Sequence, residues 1–261
     1  MNFDLVLCGV GGQGVLTTAY VVDHAATDAG LYFKQPEVHG MAQRGGAVSA
    51  HVRLSSAPVA SDLISQGSAG AVLSVEPLES LRYTSLLAAD GWIITDVTPL
   101  KNISDYPELP RLYEVLFAVP NLVTVDATRL AAKAGAMKAQ NMVVLGAAAA
   151  HLPLPVELLE KHVTSLFTPR GERVLQANLK AFRLGQAADR FRAALVSAGV
   201  PSALVARVVP RLDLETTPVS SEVVQAWAKR LLGSDGATFA ARVFDSRDLL
   251  AVDAKVPTTL T

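Results

Sequence analysis

The chain opens on FDLVLCG (Phe3–Gly9), a short apolar run, β-branched in part and ended by glycines, which predicts a buried strand. From Gly12 to about Ala29 the pattern turns helical, and Gly30 suits the C-cap. LYFK (Leu31–Lys34) reads as a second short strand. In AVSAHVRLS (Ala47–Ser55) apolar and polar positions alternate, with Val48, Ala50, Val52 and Leu54 on one face. AGAVLSV (Ala69–Val75), GWIITDV (Gly91–Val97) and LVTVDA (Leu122–Ala127) are further strands, with helices between several of them. Continuous apolar strands alternating with helices predict an α/β fold. It has three layers, a mostly parallel sheet and a Rossmann-like first βαβ unit. The alternating strand Ala47–Ser55 is the exception, antiparallel or at an edge.

Strand signals stop after about Ala127. Pro155–Phe167, Arg173–Gly199 and Ser221–Gly233 read as helices; in the last, Val223, Val224, Trp227 and Leu231 form an apolar stripe. The resulting division is an α/β domain over 1–187, a helical extension over 188–254 and a frayed terminus over 255–261.

Composition narrows the class. Of 261 residues, 50% are apolar, enough for a sizeable core. Charged residues make up 18%, below the usual quarter, which points to surface covered in an oligomer. The 23 basic and 24 acidic residues form no Lys/Arg block, so the electrostatic footprint of a nucleic-acid binder is absent. Apolar runs such as MVVLGAAAA (Met142–Ala150) fall short of a membrane span. No signal peptide precedes the first strand, and the single cysteine excludes an internal disulfide or a cluster ligated by this chain alone. The expectation is a cytoplasmic, reduced protein.

Two stretches carry candidate chemistry. GVGGQG (Gly9–Gly14) sits at a strand-to-helix turn and satisfies G-x-G-x-x-G. Its glycines let backbone N–H groups approach a phosphate, and the helix N-terminus favours an anion. A dinucleotide site also wants an acid at the end of the second strand; here that strand ends in Lys34–Gln35, with Glu37 beyond Pro36. A tight packing turn, and a loop approaching a phosphate-bearing group at a subunit interface, are the other readings. The second stretch is QPEVHGMAQRGGAV (Gln35–Val48), whose mix suits neither a helix nor a buried strand. Gly40, Gly45 and Gly46 permit close backbone approach, and Glu37 and His39 are able to move protons or to hold the loop. Arg44 either makes a bidentate contact with a carboxylate or phosphate or pairs with Glu37 to stiffen the loop. His24, His151 and His162 show no metal-ligand spacing, His51 is a polar strand position, and Cys8 is an apolar filler. The segment that would bind magnesium and thiamine diphosphate, G-D-G with downstream asparagines, is absent.

CGVGGQGV followed by PEVHGMAQRGGAVSAHVRLS, and then PRGERVLQANLKAFRLG (Pro169–Gly185), resembles the gamma-type subunits of 2-oxoacid:ferredoxin oxidoreductases. Within that family the resemblance is to the indolepyruvate ferredoxin oxidoreductase beta subunits. It covers about Met1–Ala187 and implies a hetero-oligomeric enzyme that oxidatively decarboxylates a 2-oxo acid, typically an arylpyruvate, to an acyl-CoA and carbon dioxide. Thiamine diphosphate, Mg2+ and the iron–sulfur clusters would sit in a large catalytic partner subunit, coenzyme A would be the co-substrate, and ferredoxin or another acceptor would take the electrons. The resemblance carries Gly9, Gly11, Gly12, Gln13 and Gly14, with Glu37, His39, Gly40, Gln43, Arg44, Gly45 and Gly46, over as ligand- or interface-shaping residues, none of them a catalyst. Two other classes remain open: a free-standing dinucleotide- or flavin-binding oxidoreductase, and a non-enzymatic assembly protein on the same fold.

Overall fold

The computed structural model describes residues 1–39, 45–246 and 249–252. The apolar runs become β1 (Asn2–Val10), β5 (Ala69–Ser74), β6 (Leu87–Asp96) and β7 (Leu122–Val125), and these pair in parallel in that order. The alternating run becomes β4 (Ala47–Ser55), which lies antiparallel to β1 from Val10↔Ala47 to Asn2↔Ser55. It is interior, because β2 (Tyr32–Lys34) and β3 (Glu37–His39) both pair with its outer side. All the strands of the seven-stranded sheet except β4 therefore run in one direction.

The side-chain period of the strands divides the sheet's faces. Leu5 and Leu7 of β1 face the helices α1 (Val15–Asp28), α5 (Gln140–Ala148) and α7 (Glu172–Ser197), in one cluster with Val52, Val143 and Leu184. Val6 and Cys8 face the other way, clustered with Leu116 and Phe117. That second face carries α2 (Pro77–Arg82) and α3 (Leu109–Phe117). The helices α4 (Ala127–Ala134) and α6 (Val156–Phe167) complete the first layer.

One sequence expectation is sharpened and one corrected. Glu37–His39, inside the stretch read as suiting neither a helix nor a buried strand, is β3, an edge strand with Glu37 and Val38 exposed, which carries no apolar period. Gln35 and Pro36 interrupt the edge between β2 and β3, where Pro36 offers only its carbonyl, to His51 N–H at 3.0 Å. Strands also occur after Ala127: β8 (Leu212–Asp213) pairs with β9 (Leu250–Ala251), each too short to show a pattern.

The C-terminal residues add α8 (Ser202–Val208), α9 (Ser221–Leu231) and α10 (Gly236–Asp245). The division expected at 187–188 falls inside α7, which runs unbroken to Ser197. Val205, Trp227 and Phe239 join the same core as Leu5 and Leu7. Thr124 of β7 donates its hydroxyl to Ala206 O at 2.7 Å, which ties α8 to the sheet. The terminus expected to fray, 255–261, lies outside the described residues. Among the described residues no helix is long and apolar enough to cross a membrane.

One contact governs the helical layer. A Cβ on Gly146 of α5 would lie 1.9 Å from Phe182 O, and one on Gly185 of α7 would lie 2.0 Å from Val143 O. The two helices therefore touch backbone to backbone, which glycine alone allows.

Candidate functional site

The glycine turn stands at the carboxyl end of β1, where the chain leaves for α1 on one side while β5 lies on the other. Such divergence opens a crevice at the carboxyl ends of neighbouring parallel strands. Here Gln13 occupies it. Its Oε1 accepts from Val10 N–H at 2.8 Å, and its Nε2 donates to Val75 O at 3.0 Å. A Cβ on Gly9 would come within 3.0 Å of that same Oε1, so Gly9 makes room for the brace. Gly12 and Gly14 take φ of 102° and 80°. Gly14 is the N-cap of α1 with no side-chain cap, and its carbonyl accepts from Asn141 Nδ2 at 3.1 Å.

The two motifs, distant in sequence, meet through main chain. Gly11 N–H donates to Gly46 O at 2.8 Å, and Gly45 N–H to Gly11 O at 3.3 Å. Asn102, beyond β6, donates to Gly45 O at 2.9 Å. Behind it Glu76, 1% exposed, accepts from Tyr106 OH at 2.5 Å and Leu100 N–H at 3.3 Å, which fastens the turns after β5 and β6 together. Gly11, Gly12, Gln13, Gly14, Gly45 and Gly46 thus form one surface, with Gly9 buried in β1 beneath it. Glu37 lies on β3 and accepts from Gln35 at 2.9 Å. Gly40, Gln43 and Arg44 lie outside the described residues, as does the side chain of His39.

The glycine turn is a ridge between two clefts. One, of about 410 Å³, is largely apolar, with Val10, Leu16 and Val48 in its walls. The other, of about 600 Å³, is basic: Lys138, Arg170 and Arg173 line it with Gly12, Gly14, Thr17 and Asn141. Those three cations are exposed and have no carboxylate partner among the described residues. The first turns of α1, α5 and α7 open on the same cleft, and none has a side-chain cap. Helix starts and free cations together attract an anion.

The sequence reading did not single out Lys138, Asn141, Arg170 or Arg173. A signal existed in PRGER: arginines at a helix start oppose the macrodipole, an arrangement that an anion relieves.

Other titratable groups are structural. Cys8 is 1% exposed with its thiol on Glu79 O, and burial pushes it well above the usual thiol range. His162 meets Asp28 at 2.8 Å and His151 meets Asp189 at 3.1 Å. His51 is half-buried, and desolvation lowers its pKa. Asp23 of α1 is 5% exposed and its Oδ1 has no partner among the described residues. Burial, and then the charge of Glu37, push its carboxyl up to about 7. The folded chain thus keeps a proton that the unfolded chain gives up. Its contribution is full below the ordinary carboxylate range and is lost as pH rises toward about 7. Asp23→Asn keeps the shape and removes the titration. The drop in melting temperature between about pH 4.5 and pH 7.5 is expected to shrink in the variant; equal drops in both proteins would refute the assignment.

Comparison with known proteins decides the lineage. The family model described as pyruvate ferredoxin/flavodoxin oxidoreductase matches residues 4–188. The chain belongs to that family. The indolepyruvate oxidoreductase subunit IorB of Archaeoglobus fulgidus is 34% identical over 194 residues, covering 71% of this chain and 94% of that protein. The gamma subunit of a keto/oxoacid ferredoxin oxidoreductase from Geobacter sulfurreducens shares the fold, with a TM-score of 0.51 at 22% identity over 70% of this chain and 95% of that one. A 2-oxoglutarate:ferredoxin oxidoreductase from Magnetococcus marinus, solved with 2-oxoglutarate, coenzyme A and succinyl-CoA bound, gives a TM-score of 0.57 at 16% identity, over 89% of this chain and 46% of that one. Family membership takes in both glycine motifs, whereas α8, α9 and α10 lie beyond the matched residues.

Proposed function

We propose that this chain is the accessory subunit of a thiamine diphosphate-dependent 2-oxoacid:ferredoxin oxidoreductase that converts an arylpyruvate, indolepyruvate in the first instance, to an acyl-CoA and carbon dioxide. The observation that carries the reading is the basic cleft beside the glycine turn, where Lys138, Arg170 and Arg173 stand with Gly12, Gly14 and the first turn of α1. It offers cations and an uncapped helix start, suited to receive a ligand whose chemistry happens elsewhere. The names of the relatives support the substrate class.

The cofactors divide accordingly. An iron–sulfur cluster does not fit this chain, whose single cysteine is buried in β1 against Glu79 O. On this reading the Mg2+ and thiamine diphosphate would sit in the large partner subunit. Coenzyme A does fit: Lys138, Arg170 and Arg173 would hold its phosphates beside the N-terminus of α1. Bound there, it supplies the thiol that accepts the acyl group. The free-standing dinucleotide reading loses its support in the fold, because β4 lies between β1 and β2. The end of β2 is also level with the start of β1, because Lys34 and Asp4 both pair with Arg53, so it stands far from the glycine turn at the other end of β1.

The test is co-expression with a large catalytic subunit of this family from the same source. The chain is expected to co-purify with that iron–sulfur protein, and indolepyruvate- and coenzyme A-dependent ferredoxin reduction should require both. Recovery of the chain alone, or full activity of the large subunit without it, would overturn the proposal.

A further inference from the structure

The carboxyl ends of β6 and β7 meet the C-terminal helices in a cleft of about 770 Å³, away from the glycine turn. One wall comes from α3 and α4, and the other from α8, the turn after it, and α10. Asp126, 4% exposed, caps α4 with Oδ1 on Arg129 N–H at 3.0 Å. Its Oδ2 lies 2.9 Å from Arg211 Nη1 and 3.1 Å from Arg129 Nε, so one carboxylate answers two guanidinium groups. Arg129 Nη1 is buried without a hydrogen-bond partner among the described residues. An unanswered buried donor costs free energy that an anion would recover.

A third cation stands opposite. Arg207 lies over the ring of Phe117 at 4.4 Å and uses one nitrogen on Ala203 O at 2.7 Å, which leaves donors free. Phe244 packs edge-on against both Phe117, at 4.9 Å, and Tyr113, at 4.8 Å, with Arg211 over its ring at 4.8 Å, and these rings make an apolar corner beside the cations. The acids at the mouth do not neutralise the set. Glu114 is paired with Arg111 at 2.8 Å, and Asp245, exposed, faces Arg207 and offsets only one of the three cations. Behind the floor, burial pushes Asp96 up to about 8, so it adds little charge at neutral pH.

We propose that this cleft binds a small organic anion, a carboxylate on a flat apolar or aromatic body, with Arg129 and Arg207 taking the charge and the Phe244 corner taking the body. Aromatic surface with a few convergent donors is the usual composition of a small-molecule site. Arg207, Arg211 and Phe244 lie outside the family match of residues 4–188, so the site exists only where the C-terminal segment meets the family domain. Its occupant would clamp that segment to the sheet. The cleft asks for one carboxylate and a ring, unlike the exposed phosphate-type cleft beside Gly12 and Gly14.

The experiment is titration calorimetry on the full chain with 1-naphthoate. Inorganic phosphate serves as the anion without a body, and naphthylmethanol as the body without a charge. Naphthoate is expected to bind one per chain, at least about tenfold more tightly than either control. Arg207→Gln and Phe244→Leu, each checked by circular dichroism, are each expected to weaken it by about tenfold or more. No saturation by about 5 mM, equal binding of naphthylmethanol, or wild-type affinity in a folded variant of either kind would overturn the proposal.

Discussion

Gly185→Ala will lower the melting temperature of the chain by about 6–12 °C. The added Cβ would sit 2.0 Å from Val143 O and 2.8 Å from Ala147 N, both main-chain atoms of α5. No rotamer change relieves a clash with backbone, so α5 and α7 must move apart and loosen the apolar contacts around them. Overpacking of this kind costs typically 1–3 kcal/mol, and a main-chain clash belongs at about 3 kcal/mol or above. In a chain of this size each kcal/mol moves the melting temperature by about 2–4 °C. Gly146→Ala, aimed at Phe182 O from the other side, should cost a similar amount. Gly233→Ala is the control, since its Cβ would meet nothing nearer than Arg230 O at 3.4 Å. A Gly185→Ala protein melting within about 2 °C of the parent would show that the helices separate freely.

The second large effect is kinetic. In the reconstituted enzyme, Arg170→Gln with Arg173→Gln will raise KM for coenzyme A by about 30–150-fold and leave kcat nearly unchanged. Two charge-assisted contacts of about 1–1.5 kcal/mol each give that range. They would hold phosphates remote from the reacting thiol, and binding that is equal in ground and transition states appears in KM alone. Both side chains are exposed, so the parent's KM should climb with salt while that of the double variant stays flatter. An unchanged KM, or a loss confined to kcat, would remove the phosphate role from this cleft.

The strands were the legible part of the chain. Val48, Ala50, Val52 and Leu54 alternate, and all four are buried against the helical layer, as the period-two pattern requires. β1 was readable because it is covered on both faces. What escaped the reading depends on neighbours in space. The place of β4 between β1 and β2 follows from pairing between distant segments, which no local window holds. β3 was missed because an exposed edge needs no apolar face. Both glycine motifs were legible as motifs; their contact, through Gly11 and Gly46 main chain, has no side-chain signature at all. The basic cleft is assembled from α1, α5 and α7, and only its arginines at the start of α7 left a trace, as charges on the wrong end of a helix.

The crossing at Gly185 also sets how the molecule would respond to force. That residue stands near the middle of α7, so arms of about 19 Å extend to either side at ~1.5 Å per residue. One arm ends beside Arg173 in the basic cleft, and the other ends at Ser197, where the C-terminal segment begins. The helix's buried residues run from Leu175 to Leu195, so a shift at the crossing is felt along both arms. A tilt of about 5° would carry its tips ~1.7 Å in opposite directions.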